Sequence, residues 1–361
     1  MIAGNKGEWS EIYAFLRLLS TGRLYAADSE LHEIDGVFYE ILKIFRKEAI
    51  GELKFIFCQD ARTITVAKQS DDTVLMTLAA SEFEEEAIFL LTQIQNGGDR
   101  AFSIARTKNF LNRIGCERLK APADDKSDIK IQIHDVNTGF EPILGFSIKS
   151  RLGSPSTLLN PGRTTNFTYK ISGLVDDAAM NRFNNYDGKI KDAFAALLSA
   201  GCRVDYVNVD NATFKNNLLL IDSDLPVISS LMLLEYYVFG TANIAMALRE
   251  IERKNALNYD LSGSHPFYQY KFKKLITESA LGMLPASPWT GRADATGGYI
   301  IVKEDGEVLC YHLYNRNEFE DYLLKNTKFD TPSRSRYGFA KIYKENGDYF
   351  IKLNMQIRFV R

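Results

Sequence analysis

The chain has 361 residues, of which 45% are hydrophobic and 25% charged, as in a globular protein that buries a large core. Its formal net charge of −2 gives no overall sign of nucleic-acid binding, and its four cysteines and four histidines are too scattered for structural zinc or a disulfide framework. We therefore expect a cytoplasmic protein of about two domains without a membrane span.

The first third of the chain alternates helical and extended patterns. Apolar residues at helical spacing predict a helix over 7–20, which Gly22 is placed to end. The elements predicted after it are strands over 37–45, 52–57 and 62–66, a helix over 81–95 and a loop over 121–127.

A β-hairpin is predicted next. Ile129, Ile131 and Ile133 alternate with polar residues, as in a half-buried strand. Asn137-Thr138-Gly139 has the composition of a tight turn, and 143–149 forms the second strand. Both strands then bury their apolar faces together.

After the hairpin the predicted elements change from mixed helices and strands to mainly helices. A polar loop over 150–164 is followed by a strand over 166–171, a helix over 187–200 and a strand over 204–209, an order that predicts a parallel crossover. The remaining elements are helices over 214–220, 225–239, 242–257 and 268–284, a hairpin over 299–312, a helix over 319–324 and a hairpin turning at Asn346-Gly347.

Hydrolysis of a phosphodiester needs a divalent metal ion held by oxygen ligands, an activated water and positive charge near the phosphate. The hairpin over 129–149 could bring a carboxylate and a lysine together for this chemistry. With a turn centred between 138 and 139, facing residues have numbers that sum to about 277, which places Asp128 across from Lys149. Ser147 is then a diagonal neighbour on the same face. Asp135 and Glu141 fall near the turn and are rejected as principal metal ligands.

This layout resembles the PD-(D/E)XK nucleases, in which an acid opens one strand and an acid-x-Lys triplet closes the next. The chain departs from that pattern at two positions, with Ser127 where a proline is frequent and Ser147 in place of the second acid. A serine brings no negative charge, so another carboxylate is expected. Glu8 and Glu11 share one face of the first helix, and we favour Glu11.

Several longer stretches resemble the HpaII family of type II restriction endonucleases. They span nearly the whole chain and comprise Gly7-Glu-Trp-Ser-Glu-Ile-Tyr13, Leu144-Gly-Phe-Ser-Ile-Lys-Ser150, Leu152-Gly-Ser-Pro-Ser-Thr-Leu-Leu-Asn160, Thr165-Asn-Phe167, Tyr311-His-Leu-Tyr-Asn-Arg-Asn317, Phe319-Glu-Asp-Tyr322, Lys341-Ile-Tyr-Lys344 and Leu353-Asn-Met-Gln-Ile-Arg-Phe359. The Gly-Phe-Ser-Ile-Lys-Ser stretch and its continuation are the most specific of these.

The resemblance implies an α/β (mixed α+β) fold with a PD-(D/E)XK nuclease-like core, a mixed sheet flanked by helices. It further implies Mg²⁺-dependent cleavage of double-stranded DNA at CCGG, between the two cytosines, and a cytosine-specific DNA methyltransferase as the partner that protects host DNA. Asp128, the carbonyl of Ile148 and a water-linked Glu11 would hold the metal ion. Lys149 would orient or deprotonate the attacking water, and Ser147 would hydrogen-bond a water of the metal ion.

On this interpretation residues 1–212 form the catalytic region, and the helices and hairpins of 213–361 form a region for DNA recognition. The loop after the hairpin is rich in side chains that hydrogen-bond phosphates and base edges: Ser154, Ser156, Thr157, Asn160, Arg163 and Asn166. Residues 325–361 hold nine basic and three acidic residues, and Arg334 and Arg336 are the candidates for reading guanine.

Alternatives remain open. A structure-selective DNA repair nuclease would use the same chemistry, and a DNA-binding protein that does not cleave would explain the missing acid at Ser147. A metabolic α/β enzyme is disfavoured, because the chain has no G-x-G-x-x-G or G-x-x-x-x-G-K phosphate loop. A palindromic target suits a homodimer, although a monomer could nick each strand in turn.

Overall fold

The computed structural model of the protein describes residues 3–98, 100–120, 127–136, 138–173 and 175–360. The predicted loop over 121–127, apart from Ser127, and Asn137 of the predicted turn lie outside these ranges. Contacts divide the chain into two compact units, one formed by the chain through Ser156 with Ala293–Tyr322, the other by Thr157–Arg292 with Leu323–Val360. This division differs from the predicted functional boundary after residue 212, which concerns the roles of two regions and stays a prediction.

The described residues form helices and strands that confirm the mixed α and β class. The helices are α1 (Lys6–Thr21), α2 (Ala80–Asn96), α3 (Ala105–Arg113), α4 (Asp177–Asn184), α5 (Ile190–Ser199), α6 (Ala212–Ile221), α7 (Leu225–Tyr237), α8 (Ile244–Lys254), α9 (Phe267–Leu281), α10 (Arg316–Lys325) and α11 (Arg334–Tyr337). The strands are β1 (Arg23–Ala27), β2 (Glu33–Glu48), β3 (Gly51–Cys58), β4 (Thr63–Lys68), β5 (Val74–Ala79), β6 (Ile129–His134), β7 (Ile143–Ser150), β8 (Thr157–Leu159), β9 (Asn166–Ser172), β10 (Arg203–Val209), β11 (Gly298–Val302), β12 (Val308–His312), β13 (Thr327–Phe329), β14 (Ile342–Glu345), β15 (Asp348–Asn354) and β16 (Ile357–Phe359).

The first unit is built on a nine-stranded mixed sheet with the order β1-β12-β11-β7-β6-β2-β3-β4-β5. The β1–β12 and β7–β11 pairs are parallel and the others are antiparallel. Because β1 also pairs with β2, six of these strands close into a ring, from which β3, β4 and β5 extend. The predicted hairpin, β6 and β7, is part of this ring.

Helix α1 packs against the core of the first unit, because its apolar residues recur at helical spacing. Trp9, Ile12 and Leu16 have no exposed surface. The helix begins at the N-cap Asn5 and ends at Gly22, whose φ of 67° suits the left-handed C-cap conformation. The predicted helix over 7–20 is thus confirmed, and its start is fixed beside β7.

The second unit contains the four-stranded sheet β10-β9-β15-β14 and the three-stranded sheet β13-β16-β8, packed with helices. Here the predicted parallel crossover is wrong, because β9 and β10 pair antiparallel, with Ser172 opposite Arg203. Two helices, α4 and α5, lie between the strands and return the chain to the end it left, whereas one helix would lead to the opposite end. A side chain at Gly173 would collide with the backbone of Gly201, 2.5 Å away.

Among the residues that the structure describes, no single helix is long and apolar enough to cross a membrane. Helices α6 and α7 reach the required length and hydropathy only as a pair, and the chain bends by 107° between them. The apolar residues of α7 lie in the core, where Leu225, Ile228 and Met232 have no exposed surface. The apolar run over 225–248 is therefore explained by burial.

Candidate active site

Asp128 lies immediately before β6 and faces Ser147 of β7. The strands pair with Ile129 opposite Phe146, so the numbers of facing residues sum to 275. The amide of Asp128 also donates to the carbonyl of Phe146, over 3.0 Å. The prediction that Asp128 faces Lys149 directly is therefore wrong by two residues, and Lys149 is instead the diagonal neighbour.

The error arises from the turn. The amide of Asp135 donates to the carbonyl of Phe140 over 2.9 Å, which centres the hairpin one residue earlier than the predicted tight turn. Because side chains alternate between the faces of a strand, a slip of two residues leaves each face unchanged. Asp128, Ser147 and Lys149 therefore still project from one side of the sheet.

A chain of hydrogen bonds joins these three side chains. The Ser147 hydroxyl donates to Oδ2 of Asp128 over 3.0 Å and accepts from Nζ of Lys149 over 3.1 Å. The amide of Ile148 donates to the same Oδ2 over 2.7 Å, and no described residue forms a hydrogen bond with Oδ1. Nζ of Lys149 lies 5.2 Å from the ring centre of Tyr299 on the neighbouring β11, so the ammonium has a fixed position.

The two acids of α1 have different roles in the structure. Glu8 completes a capping box, since its Oε2 accepts from the amide of Asn5 over 2.8 Å while Asn5 caps the amide of Glu8. Glu8 also forms an ion pair with Lys120 over 2.5 Å. Glu11, one turn further, makes no hydrogen bond or ion pair to a residue within the described ranges. Its carboxylate is thus the one left for a ligand.

The surroundings of Glu11 disfavour its ionised form. Burial, and then the negative charge of Asp128, raise the pKa of Glu11 from 4.5 to about 8, although Lys120, Lys149 and Arg46 act in the opposite direction. Two carboxylates that repel one another in a half-buried cleft are stabilised by a cation between them. The electrostatics therefore favour a positively charged ligand.

Glu11 and Asp128 line one cavity of about 430 Å³ in the first unit. Its other lining residues come from the start of α1, from β7 and from the segment after β7: Asn5, Lys6, Gly7, Ile148, Lys149, Ser150, Gly153, Ser154 and Ser156. The cavity therefore combines two carboxylates, two lysines and small polar residues in one cleft.

Gly145 on β7 leaves room for the segment that positions Asp128. A Cβ atom at Gly145 would lie 2.8 Å from both side-chain atoms of Ser127, the residue before Asp128. Ser127 is itself buried, with 6% of its surface exposed. A glycine at this position is thus required by the packing of the acid-bearing segment.

The donor atoms in the cavity suit a hard divalent cation. Glu11, Oδ1 of Asp128 and the backbone carbonyl of Ile148 are all oxygen ligands, which magnesium prefers. Across the described ranges no three histidine, cysteine, aspartate or glutamate side chains cluster as a metal site. Magnesium commonly keeps several waters when it is bound by one or two carboxylates, and the two acids and the Ile148 carbonyl would suit such a site.

Comparison with known proteins identifies the family of the chain. The family model of the HpaII restriction endonuclease matches residues 5–359. The chain belongs to this family. It is 47% identical over 359 residues, 99% of its own length and 99% of the relative's, to the type II restriction enzyme HpaII of Haemophilus parainfluenzae. No solved structure matches the chain.

Membership of the HpaII family makes the protein a type II restriction enzyme, that is, a site-specific deoxyribonuclease of a restriction–modification system. The substrate of such an enzyme is double-stranded DNA, and enzymes of this type generally need a divalent metal ion. The cavity lined by Glu11, Asp128 and Lys149 is therefore the candidate for its active site.

The residues predicted to contact DNA are dispersed in the structure. Ser154 and Ser156 line the cavity. Thr157 belongs to β8, and Asn160 and Arg163 are exposed in the second unit. These positions leave their side chains accessible, so their DNA contacts stay predictions.

Asn166 differs from these residues because it is 3% exposed. Its amide nitrogen donates to the carbonyl of Tyr337 over 2.9 Å, and its amide oxygen accepts from Asn354 over 2.7 Å. This geometry supports a structural role rather than contact with DNA. Arg334 and Arg336, by contrast, are exposed on the short helix α11.

Sequence reasoning missed the residues that the start of α1 contributes to the cavity. Asn5, Lys6 and Gly7 precede or begin the helix, and the capping-box pattern Asn5-x-x-Glu8 would have located them. It also missed Tyr299, which lies beside Ser147 through the parallel pairing of β11 with β7. No local pattern predicts that pairing, because about 150 residues separate the two strands.

Proposed function

We propose that this member of the HpaII family hydrolyses double-stranded DNA at CCGG, between the two cytosines, with Mg²⁺ as its metal ion. The observation that supports it best is the hydrogen-bonded chain Asp128–Ser147–Lys149, which lies beside Glu11 in one cavity. The target sequence itself is inferred from the family resemblance.

The hairpin that carries these residues supports a variant PD-(D/E)XK core. An acid opens one strand and a lysine follows on the next, both on one face of the sheet. Glu11 takes the place of the missing strand acid from a helix. The sheet that surrounds them closes into a ring, so the proposal applies to this catalytic hairpin rather than to the whole sheet.

In the proposed mechanism Asp128, the carbonyl of Ile148 and, through a water, Glu11 would hold Mg²⁺. When bound, Mg²⁺ polarises a phosphate oxygen and lowers the pKa of water. Lys149 donates hydrogen bonds that orient the attacking water and offset the charge that develops on the phosphate. Ser147 donates to Asp128 and accepts from Lys149, which keeps the acid and the base at a fixed separation.

The proposed target implies a partner methyltransferase and suggests an oligomeric state. A cytosine-specific methyltransferase would modify the same site and protect host DNA. A two-fold symmetric site matches a homodimer bound to DNA, in which each copy cuts one strand. Light scattering of the protein with and without a duplex containing the site distinguishes a dimer from a monomer that cuts sequentially.

Digestion of a plasmid of known sequence, with the ends mapped, tests the proposal. We expect discrete fragments that begin within CCGG in Mg²⁺ and no cleavage in EDTA. Asp128→Asn should abolish cleavage, whereas Glu141→Gln, an exposed acid near the turn of the same hairpin, should retain it. Equal loss in both variants would contradict the assignment of the site.

Two other outcomes would favour the alternative functions. Smeared products, or cuts confined to junctions and flaps, would indicate a structure-selective repair nuclease. A shift of DNA on a gel without cleavage in Mg²⁺ or Mn²⁺ would indicate a binding protein, consistent with the serine at position 147.

A further inference from the structure

The second unit contains a cavity of about 840 Å³ between α4, α5 and the segment from α11 to β15. Four aromatic side chains line it, those of Phe183, Tyr186, Phe339 and Tyr343. Phe183 and Phe339 are 7% and 3% exposed, whereas Tyr186 is 43% exposed. The cavity, which we call the aromatic pocket, thus combines two buried rings with one exposed ring.

The charged residues that line the aromatic pocket are all cationic. Arg334 and Lys341 line it, and neither forms an ion pair within the part of the chain that the structure describes. Lys352 also lines it, held by Asp210 over 2.7 Å. Arg334 and Lys341 thus lie beside aromatic rings without an ion-pair partner among the described residues. This combination matches a ligand that has both a flat ring and negative charge.

The aromatic pocket is built on rigid elements. The side chain of Asn184, at the end of α4, donates to the carbonyl of Ile342 over 2.8 Å and accepts from its amide over 2.7 Å. These two bonds attach the helix to the edge of β14, because the Asn184 side chain pairs with the carbonyl and the amide of Ile342 as a residue of a neighbouring strand would. The walls from α4 and β14 therefore keep their separation, and the pocket exists before a ligand arrives.

We propose that the aromatic pocket receives one nucleotide of the DNA substrate, turned out of the duplex. This inference rests on the proposed function, since the ligand is part of its substrate. The faces of a paired base are covered by its neighbours in the stack, so rings that line a cavity can stack on a base only after it has left the helix. Phosphates alone need only an exposed basic surface, and would not explain aromatic walls.

The volume and the charges fit this occupant. A cavity within the usual range for small-molecule sites accommodates a base with its sugar. Arg334 and Lys341 would meet the adjoining phosphate. Arg336, two residues from Arg334, does not line the pocket. The proposal thus separates the two arginines that the sequence treated alike.

Fluorescent cytosine analogues in the DNA test the proposal. Duplexes with pyrrolo-deoxycytidine at single positions in and beside the mapped cleavage site are bound in Ca²⁺, and the emission is recorded at saturating protein. We expect emission to rise at one position, as the base leaves the stack. Ser335→Trp, which fills the pocket from an exposed position, and Tyr186→Ala should both remove the rise. Tyr186→Ala should also weaken binding by roughly tenfold.

Arg253→Ala, which changes an exposed arginine of α8 in the same unit that does not line the pocket, is the control, and with it the rise in emission should persist at saturation, whereas Arg334→Ala should reduce it. Cleavage of the same duplexes without a rise at any position would overturn the inference and leave the proposed function standing. An undiminished rise in Ser335→Trp would overturn it too, because the base would then occupy another place. Binding of free dCMP that Ser335→Trp abolishes, without a rise in DNA, would identify a free nucleotide as the ligand instead. If the protein neither binds nor cuts these duplexes, both proposals fail.

Discussion

Replacement of Glu11 by glutamine should have opposite effects on activity and stability. The proposed mechanism uses this carboxylate to hold Mg²⁺, so its loss should reduce cleavage on the order of 100-fold, as for a weakened metal site. Glutamine has nearly the same shape but no charge. In the metal-free protein it removes the repulsion between Glu11 and Asp128, so we expect greater stability at alkaline pH.

The size of the gain follows from the pKa of Glu11. The folded protein retains the Glu11 proton up to about pH 8, whereas the unfolded chain releases it near 4.5. The stability that this group contributes is therefore fully present below pH 4.5 and is lost as the pH rises to about 8. Between pH 5 and pH 8 the loss is at most ~4 kcal/mol, at about 1.4 kcal/mol per pH unit. Water in the cleft screens the charge, so we expect roughly 1–3 kcal/mol.

Urea unfolding in EDTA at pH 5 and pH 8.5 measures this effect. The free energy of unfolding of Glu11→Gln relative to the wild type should rise between the two pH values. Glu8→Gln is the control on the same helix. Burial alone would raise the pKa of Glu8, but its hydrogen bonds with Lys120 and Asn5 outweigh burial and lower it, so Glu8→Gln should destabilise the protein instead. A pH-independent difference for Glu11→Gln would refute the electrostatic reasoning.

Other substitutions test the remaining parts of the site. Asp128→Asn and Lys149→Met should each reduce cleavage by at least about 10³-fold while DNA affinity, measured by gel shift, changes less than about tenfold. Mg²⁺ should raise the melting temperature of the wild type at pH 8 but not that of Asp128→Asn. Gly145→Ala should displace Ser127 and lower kcat at unchanged DNA affinity. Full activity would show that Ser127 can move away from the added methyl group without disturbing Asp128. Ser147→Asp combined with Glu11→Gln should cleave better than Glu11→Gln alone, because the acid returns to the strand.

The face of the sheet that carries the candidate site could be predicted from the sequence, because it depends on local alternation. Isoleucines at every second position identified the buried face of β6, and this placed Asp128, Ser147 and Lys149 on the other side of the sheet. The exact register could not be predicted, because it is set by the length of the turn. An error of two residues left the face correct, whereas an error of one would have separated Asp128 from Lys149.

The closed ring of the first unit could not be predicted, because its closing contacts join strands that are distant in sequence. The pairing of β1 with β12 brings together Tyr25 and Leu309, and nothing in either local pattern specifies the other. Strands β1 and β5 and helices α3 and α4 were also not predicted. Helix α4 is short, and its omission led directly to the wrong orientation of β10 relative to β9.

The serine at position 147 has a physical consequence that an acid would not share. A hydroxyl can donate to Asp128 and accept from Lys149 at the same time, whereas a carboxylate can only accept. An aspartate here would break the bond to Asp128 and add a third negative charge to a cavity in which Glu11 already resists ionisation. In the proposed site the second negative charge for a metal ion would come from Glu11 on α1, while Ser147 links Asp128 and Lys149 through its two hydrogen bonds. The departure from the PD-(D/E)XK pattern at this position is therefore compatible with catalysis.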